Sequence, residues 1–139
     1  MAYLAPSMSP EELEKLNHLA LAHVGDGVYE LLVRTWLCLH QGHSNRDLHR
    51  ETVARVCAGA QSAAVGRIEA LLTEEEHTVY RQARNTAVGG IPRNATPGEY
   101  HRATGLEALF GWLWLTDRRG RIEELFACIM EGEPTGEDA

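Results

Sequence analysis

Lysine is nearly missing from this chain of 139 residues. Lys15 is the single example, and the other twelve basic residues are arginines. The arginine fork suits phosphate, although a codon bias toward Arg, Ala and Gly would give the same excess. Long apolar runs are also missing. The densest stretch, GLEALFGWLWL (105–115), is short and carries Glu107. It falls well below the ~20 residues that cross a bilayer, so no membrane partner is expected. Cysteines are few and odd in number. Cys38, Cys57 and Cys128 stand far apart with no CxxC pair. That excludes a zinc site of the usual spacing and reads as buried reduced thiols in a cytoplasmic protein. The opening MAYLAPSMSPEELEK has no basic region followed by an apolar one, so no signal peptide is expected. No alternating apolar run is bounded by turn residues, so no strand is expected.

The formal charge is −7. Taken alone this argues against a nucleic-acid partner. The distribution is uneven, however. Between Arg81 and Arg102 four arginines face one acid, Glu99, a local +3 that leaves −10 for the rest. Screening acts over about 8 Å at physiological salt, so local charge decides contact more than the total does.

What the chain has in quantity is helix-start chemistry. Ser9-Pro10-Glu11-Glu12, Thr73-Glu74-Glu75-Glu76 and Thr96-Pro97-Gly98-Glu99 are capping boxes, and Ser44-Asn45-Arg46-Asp47 is a looser version. Apolar residues follow at helical spacing in four stripes. They are Leu13, Leu16, Leu19 and Ala20; Val24, Val28, Leu31, Leu32 and Leu39; Leu106, Leu109, Phe110 and Leu113; and Ile122, Leu125, Phe126 and Ile129. The spacing predicts an all-α domain over 1–131, with helices at about 9–21, 24–40, 45–71 (broken near 50 or 59), 73–86, 97–116 and 120–131. The loop 87–96, AVGGIPRNAT, is the substantial internal irregular segment. The acidic tail 132–139 is expected to be disordered.

Two acids do not belong to a solvated face. Asp26 lies within HVGDGVYELLV and Glu107 within TGLEALFGWLWL. An ionised carboxylate in an apolar setting costs several kcal/mol unless a base, hydrogen bonds or a cation neutralises it. One reading pairs Asp26 with Arg34 or Arg55. The other packs the two helices together, with Gly25, Gly27, Gly105 and Gly111 allowing close approach. The acids would then converge on a divalent cation, which Mg²⁺ chemistry permits with one or two carboxylates plus water and substrate phosphate. Glu30 reads as surface, and His23 as a helix-end group within reach of Asp26.

These stretches resemble a known family. VGDGVYE is similar to the signature helix of ribonuclease III catalytic domains, and TGLEALFGWLWL to their second acidic helix. The separation of about 80 residues between the two acids fits as well. LNHLALAHVGD, Asn45 with Leu48-His49, AQSAA, LTEEE, RQARN, PRNAT and EYHRATGLEAL extend the likeness over about 16–130. The chain is too short for an added double-stranded-RNA-binding domain, which points to the mini-ribonuclease III branch. Ala22 and Thr104 stand where larger members carry two further acids. That leaves a second cation site with fewer protein ligands.

The resemblance implies a cytoplasmic, homodimeric, Mg²⁺-dependent endoribonuclease for double-stranded RNA, with Mn²⁺ able to substitute. Its family task is to mature the ends of the 23S ribosomal RNA precursor at a stem, with a large-subunit ribosomal protein assisting. Asp26 and Glu107 match the metal-binding catalytic acids. Each protomer would cut one strand, leaving 5′-phosphate and 3′-hydroxyl ends with a short 3′ overhang. Dimerisation would use the signature helix and its neighbours. Trp36, Trp112 and Trp114 are candidates for that contact, although core placement also fits each. Arg81, Arg84, Asn85, Arg93, Asn94 and Arg102 flank the loop 87–96 and are the candidate RNA contacts, with His49 as a further one and Tyr100 and His101 at the same edge. Alternatively, Arg84 and Arg102 pair with Glu76 and Glu99. Two rival functions compete. An all-α nucleotide pyrophosphohydrolase could gather Glu11, Glu14, Asp26 and Glu30. A non-catalytic RNA-binding or ribosome-assembly module would need no cation.

Overall fold

Four Ser or Thr caps start helices where the sequence places them. In the computed structural model, which describes residues 2–40, 44–86, 91 and 93–131, Ser9, Thr73 and Thr96 each accept from the backbone N–H three residues on. In all three, the glutamate at that third position also accepts from the cap's own N–H. Ser44 accepts from Asp47 at 3.3 Å. The helices among the described residues are α1 (Pro10–Glu14), α2 (His18–His40), α3 (Asn45–Val56), α4 (Ala58–Ile68), α5 (Glu74–Thr86), α6 (Pro97–Leu115) and α7 (Arg119–Met130). A 3₁₀ turn, Glu69–Leu71, follows α4. The described residues contain no strand, and the all-α expectation holds.

Helix α6 is the axis of the bundle. Ten of its nineteen residues are buried, and Leu106, Leu109, Phe110 and Leu113 are fully so. Each such side chain contributes about 1.5–3 kcal/mol by leaving water. Helices α2, α4 and α5 pack around α6. Helix α7 closes the core with Ile122, Leu125, Phe126 and Ile129, and Tyr29 of α2 stands edge-on to Phe110 (5.3 Å) and Phe126 (5.9 Å). Helix α6 ends at Thr116. There Asp117 takes a positive φ of 56°, and the Arg118 N–H donates to the Leu113 carbonyl at 2.8 Å. This is the six-to-one bond of a Schellman turn.

Several expectations are corrected. The expected helices 9–21 and 24–40 instead divide at Asn17, whose side chain accepts from Ala20 N–H at 2.7 Å and so starts α2 early. The break expected near 50 or 59 in the 45–71 helix is present, at Cys57, which is extended (φ −67°, ψ 159°). Of the stripe read on α2, Val24, Val28 and Leu32 are only half-buried. Leu31 and Leu39 are exposed, while Leu21, Ala22, Gly25, Tyr29, Val33 and Leu37 are buried. Besides a polar row (His23, Asp26, Glu30, Arg34), the helix carries two apolar rows, so spacing alone could not fix which of them faces the core. The expected buried thiols are another correction. Cys38 and Cys57 are exposed and Cys128 is half-buried, all three free. Cys38 follows buried Leu37 and points outward, and Cys57 sits at the α3–α4 corner. No helix among the described residues is long and apolar enough to cross a membrane. The segment 132–139 and half of the 87–96 loop (87–90 and 92) lie outside the described residues.

Candidate active site

The site begins with a backbone contact. A side chain at Gly25 would overlap the Glu107 carbonyl, and one at Gly111 would overlap the Leu21 carbonyl. Helices α2 and α6 therefore cross with their backbones touching. Asp26 follows Gly25 directly, so its side chain emerges beside that of Glu107. The two carboxyls lie close enough for Asp26 to act on the charge of Glu107. Burial first, and the Asp26 carboxylate second, push Glu107 from 4.5 up to about 8. The side-chain amide of Gln61, on α4, lies on the same group and opposes part of that rise.

This geometry decides between the two readings of Asp26. Arg34 pairs with Glu30 at 3.0 Å and Arg55 with Glu51, each one turn away on its own helix. The neighbour of Asp26 is an acid. Two details differ from expectation. Asp26 is exposed, because the core phase of α2 runs through Gly25 rather than through it, and Glu107 is the half-buried member. Of the four glycines, only Gly25 and Gly111 make the α2–α6 approach. Gly27 faces open space, and Gly105 accommodates the Tyr80 ring.

The donor set fits a hard divalent cation. Two carboxylates share one spot, one of them open to solvent, and their mutual repulsion is what a cation relieves. Among the described residues no three His, Cys, Asp or Glu gather into a metal cluster. The set Glu11, Glu14, Asp26 and Glu30 therefore does not assemble, and Glu30 is held by Arg34. His23 is exposed. Ala22 and Thr104 are buried, and the Thr104 hydroxyl donates to Tyr100 O at 3.0 Å.

The candidate RNA contacts divide into two places. Arg81, Arg84 and Asn85 end α5, Arg93 and Asn94 lie in the turn before α6, and Arg102 is on the second turn of α6. All are exposed except half-buried Arg84. Arg84 donates to Asn85 Oδ1 (3.2 Å) and lies over the Tyr80 ring, while Arg102 donates to Ser62 Oγ at 2.6 Å. The proposed partners are engaged elsewhere: Glu76 accepts from Arg121 and Glu99 completes its own cap. Ser62 adjoins Gln61, so α4 joins the acid pair to the arginine edge. His49 is apart from that edge, in a pocket with Arg34, Cys38, Asn45, Leu48 and Thr52.

Gln61, within AQSAA, is a site residue that the sequence alone does not mark as functional. A lone amide within an alanine-rich helix was the signal available. The tryptophans also divide. Trp112 is buried in the core, whereas Trp36 and Trp114 are half-buried and line apolar grooves on the outer side of α2.

Comparison with known proteins places the chain among endonucleases. The Ribonuclease III domain family matches residues 19–118. Mini-ribonuclease 3 of Clostridium tetani is 34% identical over 133 residues, covering 92% of this chain and 85% of its own. The Symbiobacterium thermophilum mini-ribonuclease 3 is 42% identical over 111 residues, covering 79% and 85%. A crystal structure of a Fusobacterium nucleatum protein superposes with a TM-score of 0.81 at 30% identity, covering 88% of this chain and 98% of that one.

Proposed function

The chain belongs to the ribonuclease III family, in its mini-ribonuclease 3 branch, and is an endoribonuclease; on that premise we propose that it cuts double-stranded RNA with Asp26 and Glu107 holding Mg²⁺, or Mn²⁺ in its place. The observation that carries this reading is the meeting of the two acids at the Gly25–Glu107 backbone contact. A divalent cation in such a site supplies acidified water and offsets the charge developing on a phosphodiester. Asp26 and Glu107 contribute its ligands, and the close helix crossing keeps them together before RNA arrives. Duplex RNA is gripped through phosphates and 2′-hydroxyls across its shallow minor groove. Arg102, tied through Ser62 to the helix that carries Gln61, sets the arginine edge beside the acid pair. Arg81, Arg84, Asn85, Arg93 and Asn94 extend that edge, with His49 a more remote contact.

The active unit is a homodimer joined through the outer face of α2. Val24, Val28, Leu31, Leu32 and Trp114 line an apolar groove there, and Leu31 is 62% exposed. The substrate is a stem of the 23S ribosomal RNA precursor, processed in the cytoplasm with help from a large-subunit ribosomal protein.

The test is incubation of the full chain with a perfect RNA duplex, with and without Mg²⁺, followed by end analysis. Cleavage that requires the ion and leaves 5′-phosphates supports the reading. Asp26→Asn should abolish cleavage while leaving duplex binding nearly intact. A variant as active as wild type would overturn the assignment.

A further inference from the structure

The amide beside the acid pair does nothing for the fold that an apolar side chain would not do better. Gln61 is 2% exposed, and its Nε2 is buried without a hydrogen-bond partner. An unpaired buried donor costs about 1–3 kcal/mol. Methionine would fill the same volume without that cost. The surrounding residues of α4, Ala60, Ala63 and Ala64, carry no polar side-chain atoms with which the amide could pair. Across the helix interface it meets one polar group, the Glu107 carboxyl.

That meeting is incomplete in the metal-free arrangement, where Gln61 Nε2 completes no hydrogen bond. A neutral amide has a property no basic side chain could offer here. It can orient a carboxylate by donating to it without cancelling the negative charge that attracts a cation. Arg102 approaches the same stretch of α4 but is held on Ser62, one residue away. We propose that Gln61 is a positioning residue, whose Nε2 N–H holds the Glu107 carboxylate in the orientation that presents it, with Asp26, to a divalent cation. This rests on the two-carboxylate reading above. Groups that orient metal ligands from behind are worth about 10–100-fold in metal affinity.

The experiment compares Mn²⁺ binding by the full-length wild type, Gln61→Met and Asp26→Asn, measured by the electron paramagnetic resonance of free Mn²⁺ without RNA. Gln61→Met should weaken binding 10–100-fold while its thermal midpoint equals or exceeds that of wild type, since the orphaned donor is gone. Its duplex cleavage should recover at raised Mn²⁺. Wild-type Mn²⁺ affinity in Gln61→Met, with binding lost in Asp26→Asn, would overturn the role of Gln61 alone. Unchanged affinity in Asp26→Asn would overturn the two-carboxylate site and this proposal with it. A second readout needs no variant. In ¹⁵N-labelled wild type, the Gln61 side-chain amide protons should move downfield when Mg²⁺ is added, as they engage the carboxylate. An unmoved resonance at saturating Mg²⁺ would also overturn the proposal.

Discussion

Replacing Glu107 with glutamine should make the metal-free protein more stable while destroying its activity. Glu107 is pushed from 4.5 up to about 8 by burial and by Asp26. Below pH 4.5, folded and unfolded chains both keep this proton. Between 4.5 and 8 the unfolded chain has released it and the folded chain has not. The unfolded state thus binds fewer protons, and stability falls as pH rises through that window. At about 1.4 kcal/mol per pH unit, the loss by pH 7.5 is roughly 4 kcal/mol. Glutamine has nearly the same shape and never ionises. In EDTA at pH 7.5 and fixed protein concentration, Glu107→Gln should exceed wild type by roughly 2–4 kcal/mol in urea unfolding, after allowing for local relaxation around the ionised group. The difference should close near pH 4.5. Adding Mg²⁺ should stabilise wild type and leave the variant unmoved, because a ligand raises stability only where it binds the folded state. If Glu107→Gln is no more stable than wild type at pH 7.5, or the gap is independent of pH, the acids are not held in conflict and the site has been misread.

Gly25→Ala should cost about 3 kcal/mol or more, by forcing a methyl into the Glu107 carbonyl; Gly66→Ala, which meets open space in α4, should gain about 0.5–1 kcal/mol, and urea midpoints compare the two. Asp117→Gly should add about 0.5–1 kcal/mol by relieving its positive φ at the end of α6, read as a raised thermal midpoint. Arg93→Ala should weaken duplex binding and flatten its salt dependence by about one phosphate contact, and an unchanged slope would remove the turn before α6 from the RNA interface.

Much of the fold was legible because helix starts are local chemistry. A capping serine or threonine is satisfied within three residues, and all four proposed caps close. The stripes of α6 and α7 were legible for a related reason: these helices turn their apolar residues to one core, and all eight of the named positions are buried. The phase of α2 was not legible. Beside its polar row (His23, Asp26, Glu30, Arg34), α2 carries two apolar rows, one buried and one that includes Leu31 and Leu39, and apolar spacing alone does not say which of them meets α6. The early start at Asn17 depends on geometry that a periodic pattern averages away, whereas the break at Cys57 lies close to one of the two places expected for it. At the candidate site, both acids stood out as charges amid apolar residues. Their relative burial did not, because that depends on which neighbour of Asp26 touches α6. Gln61 was invisible for a different reason: an uncharged amide in a helix is unremarkable until its burial and its lack of a partner are known.

The acid between two glycines has a mechanical explanation. Gly25 lets α2 press on the backbone of Glu107, so the main-chain positions that carry the two carboxyls are fixed by a backbone contact. Their repulsion acts to part the helices. Opposing it are Leu106, Leu109, Phe110 and Leu113, each fully buried and each contributing about 1.5–3 kcal/mol to the packing of α6. That sum exceeds the few kcal/mol of conflict at Glu107, so the helices stay together and Glu107 holds its proton to a higher pH instead. Had the same acids been carried on mobile loops, they would swing apart at little cost and the conflict would vanish. A rigid crossing preserves it, and a preserved conflict between carboxylates is a standing preference for a cation.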